Sequence, residues 1–265
     1  MCNKFTKWTI MKEHANLLTD KLLNSTKEEA GAIIFNNTND MMSSSVIFNS
    51  EGKSDSVRIN LGNNHMVSFH THPAKAYIDN GCVYGHPSGD DISHFIRLSL
   101  KGALNHAVFT LEGMYIVQIH PRFVRYLLRL PYNEQETILD KLYKYFSAYH
   151  GKRTYSYVKR MGYTPRVFVK ECNTMNLKKL RLPEKLFDER KFPKRLISCV
   201  WFFTDDIKSN EKNYDKLWND IQNKTVSVTY TNRKKPIMFP FLVLNQSNRT
   251  LNNVLHTIQE CAFSS

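Results

Sequence analysis

The chain has 265 residues, 42% of them hydrophobic and 12% aromatic, with 37 Lys+Arg against 24 Asp+Glu for a formal net charge of +13. This length allows one large domain or two small ones, the hydrophobic share is that of a globular chain with a core, and no run reaches the ~18 apolar residues of a membrane-spanning helix. The first eight residues lack the apolar core of a secretory leader, and Cys2, Cys82, Cys172, Cys199 and Cys261 are odd in number and scattered, which reads as reduced thiols in a cytoplasmic or nuclear protein rather than a disulfide framework.

In chain order, residues 9–24 place Ile10, Leu17, Leu18 and Leu22 near helical spacing and predict an amphipathic helix. The continuous apolar run 30–35 predicts a central strand, and 36–40 has turn chemistry. Strands are expected at 45–48 and 57–61, with a turn at 51–53. A further apolar run, His65-Met66-Val67-Ser68-Phe69, leads into His70-Thr71-His72-Pro73. Pro73 cannot continue a central ladder and so ends that strand. Residues 92–100 carry a helical stripe with Gly102 at its stop. Runs 106–110 and 114–119, joined by Leu111-Glu112-Gly113, predict a hairpin.

From Pro121 the pattern changes. Helices are expected at 122–130 and 133–149, the second capped by Asn133 with Glu136. Strands follow at 196–204, 225–231 and 237–244, and helices at 214–222 and 250–263. The expected fold class is α/β (α+β), with a mixed sheet flanked by helices over 1–120 and a basic α/β extension over 121–265. That extension is either a small domain of its own or a set of elements completing the first sheet.

Residues i and i+2 of a strand share a face. His70 and His72 therefore project together and can share one ion at Zn–N distances of about 2.0–2.1 Å. Asp91 is the nearest acidic residue placed to supply a third ligand, and Glu28, in Lys27-Glu28-Glu29-Ala30-Gly31, sets a carboxylate just before a buried strand. Plainer readings stand beside these. A His-x-His pair is often surface or core histidine, and Ser88-Gly89-Asp90-Asp91 is also a helix capping box. The capping and metal readings are compatible, because a helix start can hold Asp91 rigidly while its side chain faces an ion.

As a set, Glu28, His70-Thr71-His72-Pro73 and Ser88-Gly89-Asp90-Asp91 resemble the JAMM (MPN+) family of zinc metalloproteases. The resemblance covers about residues 9–120. Glu28 rather than Glu29 takes the place of the family's glutamate, because Gly31 follows at the third position. The resemblance implies an MPN-like fold with Zn2+ held by His70, His72 and Asp91. It implies Glu28 as the base and Ser88 as the hydrogen-bond partner of the oxyanion. It also implies ubiquitin or a ubiquitin-like modifier joined to lysine as the substrate. The chain departs from the family in its longer His72-to-Ser88 segment, where Lys75, Tyr77 and Tyr84 are candidate substrate contacts.

Residues 1–120 hold 10 Lys+Arg and 11 Asp+Glu, a balance of −1, while residues 121–265 hold 27 and 13, a balance of +14. This asymmetry suggests that 121–265 meets an anionic partner, nucleic acid or an acidic protein. Lys152-Arg153 and Lys159-Arg160, with Tyr155, Tyr157 and Tyr163 interleaved, suit phosphate contacts and base stacking, or form a solvated face. Two other functional readings follow: a non-catalytic MPN-like scaffold, and a nucleic-acid-binding protein working through its basic half.

Overall fold

The computed structural model describes residues 8–10, 12–38, 41–52, 67–80, 84–147, 165–182 and 196–203. The apolar and β-branched runs form β1 (Trp8–Ile10), β2 (Glu29–Thr38), β3 (Met41–Glu51), β4 (Val67–Thr71), β5 (Asn105–Thr110), β6 (Gly113–Ile119) and β7 (Ile197–Phe203). Between them lie α1 (Lys12–Asn24), α2 (Ala74–Asn80), α3 (Gly89–Ser99), α4 (Pro121–Leu127), α5 (Tyr132–Ser147), α6 (Pro165–Thr174) and α7 (Leu177–Leu180). The strands make one seven-stranded sheet in the order β1-β3-β2-β4-β5-β6-β7. β1–β3 and β4–β5 are parallel pairs and the rest are antiparallel. The fold is therefore a mixed sheet flanked by helices. No helix among the described residues is long and apolar enough to cross a membrane.

Strand alternation divides the chemistry between the two faces. Phe69 points to one face and meets Phe48 and Phe109 edge-on, at centroid distances of 5.1 and 5.4 Å. His70 points to the other face, beside Val108 in the neighbouring strand. There Phe95 of α3, Leu127 of α4, Leu142 of α5 and Phe168 of α6 close over Val108 and Tyr115 in a single core cluster. Elements on both sides of residue 120 thus share one core. β7 also pairs along the whole of β6, from Gly113 opposite Phe203 to Ile119 opposite Ile197. For the described part of 121–265, the alternative in which later elements complete the first sheet is the one observed.

Several local expectations are revised. β2 runs to Thr38 instead of turning at 36, because its ladder with β3 continues to Thr38 opposite Met41. The expected Asn133–Glu136 cap does not form. α5 starts one residue earlier, the Asn133 carbonyl accepts the Thr137 hydroxyl at 2.8 Å, and Glu136 takes both guanidinium nitrogens of Arg97 at 2.6 Å. β1, α6 and α7 were not anticipated. The expectations at 57–61, 152–163, 214–222, 225–231, 237–244 and 250–263, and those on Cys2, Cys82 and Cys261, lie outside the described residues.

The close spacing of β2, β3 and β4 requires Gly31. A Cβ there would stand 1.8 Å from the Ile47 carbonyl oxygen and 2.8 Å from a ring carbon of Phe69, next to a register shift between Ala30 and Gly31. Backbone cannot yield as a flexible side chain does, so Gly31→Ala is expected to cost at least ~1–3 kcal/mol, read as a lower urea midpoint. An unchanged midpoint would show that this spacing does not depend on the glycine.

Candidate metal centre

The site is set first by strand register. Ala30 stands opposite His70 and Gly31 opposite Phe69 in the antiparallel β2–β4 pair. The same register carried outward sets Glu28 across from His72. β4 runs parallel to β5, and the His72 N–H extends that ladder to the Phe109 carbonyl at 2.8 Å. His72 therefore keeps the strand's alternation one residue past its end, before Pro73 leads into α2. The Glu28 carbonyl accepts the Gly52 N–H at 2.8 Å, which anchors the start of β2.

Four side chains converge there. The two Nε2 atoms of His70 and His72 are 2.9 Å apart. Asp91 brings Oδ1 to 3.1 Å from His70 Nε2 and Oδ2 to 3.6 Å from His72 Nε2. Glu28 brings Oε1 to 3.7 Å from His72 Nε2. Glu28, His70 and His72 are buried, and their ligand atoms lie within 4.8 Å of one another. Asp91 is half-buried and reaches the same two nitrogens from the helix side. Of the adjacent glutamates, Glu29 turns its carboxylate to Lys21 at 3.0 Å, so the acid beside the imidazoles is Glu28.

α3 supplies Asp91 through its N-terminal cap. The Asp91 N–H donates to Ser88 Oγ at 3.0 Å, and the Ser88 N–H donates to Asp91 Oδ2 at 2.6 Å. The capping box forms while Oδ1 faces His70, so the capping and site-facing roles coexist in one carboxylate. Burial raises the Asp91 pKa, but His70, then His72 and the Ser88 N–H, outweigh it and hold the carboxyl well below its usual range. Gly89 lets α5 cross directly over this helix start, since a Cβ there would lie 2.3 Å from both Ser147 Oγ and the Tyr143 carbonyl oxygen.

A second layer fixes His72. Its Nδ1 is 2.7 Å from the Gly85 carbonyl oxygen. A carbonyl only accepts, so Nδ1 carries the hydrogen and Nε2 presents its lone pair to the site. The Gly85 N–H in turn donates to Glu112 Oε1 at 2.8 Å. The same carboxylate accepts the Tyr77 hydroxyl at 2.5 Å and the Tyr115 hydroxyl at 3.0 Å. Burial pushes the Glu112 carboxyl and the Tyr77 hydroxyl above their ordinary pKa values. The donor set of two imidazole nitrogens and nearby carboxylates is one that zinc accepts, and a 2.9 Å gap between the Nε2 atoms lies within the span of two Zn–N bonds of about 2.0–2.1 Å. The residues present fit a metal ion.

The His72-to-Ser88 segment is not all loop. It contains α2, and Tyr77, expected as a substrate contact, is 1% exposed and bonded through its hydroxyl to Glu112 and to the Leu111 N–H. Lys75 is exposed and pairs with Asp79, while Tyr84 is half-buried. Gly85 and Glu112 were not anticipated as site residues, because a single acid in a hairpin turn reads as solvent-facing. His106 was likewise read only as part of a strand. It is fully buried beneath α3, stacked on Phe95 with ring centroids 4.5 Å apart, 2.5 Å from Ser68 Oγ and 3.3 Å from Ser99 Oγ. The Ser99 hydroxyl already donates to the Ala103 carbonyl, so His106 Nε2–H donates to Ser99 and Nδ1 accepts from Ser68. No protein-family model, curated protein or solved structure matches the chain.

Burial lowers the His106 pKa from 6.5 to about 3. The unfolded chain therefore binds this proton below pH 6.5 while the folded chain refuses it. Stability should fall as pH drops from 6.5 toward about 3, by up to ~1.4 kcal/mol per pH unit from this group. Urea midpoints of metal-free wild type and His106→Gln, compared from pH 7 to 5, should show the steeper loss in wild type. Parallel curves would assign the titration elsewhere.

Proposed function

We propose that the chain is a zinc-dependent isopeptidase of the JAMM (MPN+) type, acting on ubiquitin or a ubiquitin-like modifier joined to lysine. The observation that carries this reading is the convergence of Glu28, His70, His72 and Asp91 at one point, from three separate elements and in the order of the motif. The mixed sheet flanked by helices suits the MPN-like fold that the resemblance implies.

In this reading His70 and His72 hold the ion through Nε2. A zinc ion at such a site supplies Lewis acidity and brings the pKa of its water toward ~7. Either carboxylate could complete the ligand set, and two features favour Asp91. Its Oδ1 approaches His70 Nε2 to 3.1 Å, and its other oxygen is tied to the helix start, so it is rigid and ionised. Glu28 stands farther off, 3.7 Å from His72 Nε2, which suits a base across a water molecule. Glu28 takes the proton of the attacking water and passes it to the leaving amine. Ser88 Oγ accepts the Asp91 N–H, which leaves its hydrogen to donate to the oxyanion of the amide carbonyl. The basic excess of 121–265 supports an anionic partner that brings the enzyme to its target.

Metal analysis of the purified chain, with a di-ubiquitin panel assayed with and without chelator, tests the proposal. Glu28→Gln should keep about one zinc per chain and lose at least ~100-fold in cleavage rate. Asp91→Ala should lose the metal. Zinc lost from the first variant and kept by the second would exchange the two roles, and a wild-type chain that holds no zinc would end the reading.

A further inference from the structure

The site described so far contains one group whose burial its own chemistry does not explain. Glu112 sits in the β5–β6 turn, 1% exposed, in a position where a hairpin normally puts its polar residue in water. Leaving a carboxylate there is costly unless it is fully hydrogen-bonded. It is: Tyr77 and Tyr115 donate hydroxyls and Gly85 donates its N–H. Two of these donors are rigid aromatic residues, and the third is the N–H of Gly85, the residue whose carbonyl accepts His72 Nδ1–H at 2.7 Å.

We propose that Glu112 is a positioning residue for the metal site, acting through the Gly85 backbone to fix the tautomer and ring angle of His72. The inference rests on the metal-site reading above and assigns Glu112 no contact with the ion or substrate. A residue that ligates a metal through one imidazole nitrogen normally has its other nitrogen held by an acceptor that sets its orientation. Here the acceptor is a main-chain carbonyl with no charge of its own, in a segment that is neither helix nor strand. Such a carbonyl orients a ring only if the residue that carries it is held. The Glu112 carboxylate holds Gly85 by its N–H, in the peptide link just before the carbonyl, and the Tyr77 ring packs tightly against the same residue, since a Cβ on Gly85 would lie 2.1 Å from the Tyr77 hydroxyl oxygen. α2 and Gly85, both within the stretch between His72 and Ser88, thereby form a clamp in which α2 carries Tyr77 inward to this acid.

The test measures metal binding rather than turnover. Zinc dissociation constants of wild type, Glu112→Gln and Tyr115→Phe are obtained by competition with a chromophoric chelator. Each chain is also loaded with cobalt, and the ligand-field absorption spectrum is recorded. Glu112→Gln is expected to weaken zinc binding by about 10–100-fold and to shift the cobalt spectrum, with a smaller change in the same direction for Tyr115→Phe. Ser99→Ala serves as the control for buried-network damage: it disturbs the His106 network beneath α3 and should lower the urea midpoint while keeping the wild-type zinc constant. A folded Glu112→Gln or Tyr115→Phe chain with the wild-type constant and spectrum overturns the inference alone. A wild-type chain that binds no zinc overturns the functional reading and this inference with it.

Discussion

Two imidazole nitrogens 2.9 Å apart repel unless a hydrogen or a cation stands between their lone pairs. The neutral His72 ring cannot relieve this itself, because its hydrogen is on Nδ1 and is donated to the Gly85 carbonyl. With carboxylate oxygens of Asp91 and Glu28 between 3.1 and 3.7 Å away, the point where these groups meet is strongly electron-rich and poorly exposed to water. A hydrogen on one of the two Nε2 atoms relieves this, and so does a metal cation facing both nitrogens and the carboxylates. One added proton offsets one of the two carboxylate charges, whereas a dication offsets both. Much of the surrounding structure holds this unfavourable geometry in place. The β2–β4 register aligns Glu28 with His72, the capping box fixes Asp91, and the parallel β4–β5 ladder carries His72 past the strand end.

The parts of this arrangement that were legible in the sequence are those encoded over a few residues. The His-x-His alternation, the Ser88–Asp91 cap, the 106–119 hairpin and the Gly102 stop depend on neighbours in the chain, and each is present. What could not be read depends on groups distant in sequence. Arg97 draws Glu136 away from its expected capping role across 39 residues, because a charged, two-point bond to a guanidinium outcompetes a cap. Glu112 receives Tyr77 and Gly85 from 35 and 27 residues away, and nothing near Glu112 signals that it is buried. β7 reaches the sheet from beyond four of the described helices, so no local pattern announces its partner.

The two faces of the sheet also divide labour. The Phe48–Phe69–Phe109 face is apolar packing, while the opposite face carries polar groups, His70 and His106, under α3. His106 is kept neutral between two serine hydroxyls and His86 lies flat on Phe168, with centroids 4.7 Å apart. Histidines close to the site are thus used in two ways. His70 and His72 line the site, whereas His106 is a structural member with both ring nitrogens hydrogen-bonded within the fold.

The crossing of α5 over Gly89 has a practical consequence for anyone dissecting the chain. α5 buries Ile138, Leu139, Leu142 and Phe146 against the same core that supports the site, which contributes on the order of 6–12 kcal/mol, as large as the net stability of a typical domain. A fragment ending at residue 120 would keep every residue of the motif and yet lose the roof over it, exposing a greasy flank and an unpaired β6 edge prone to clumping. Shortened versions made for crystallisation or assay should therefore extend at least through Phe203.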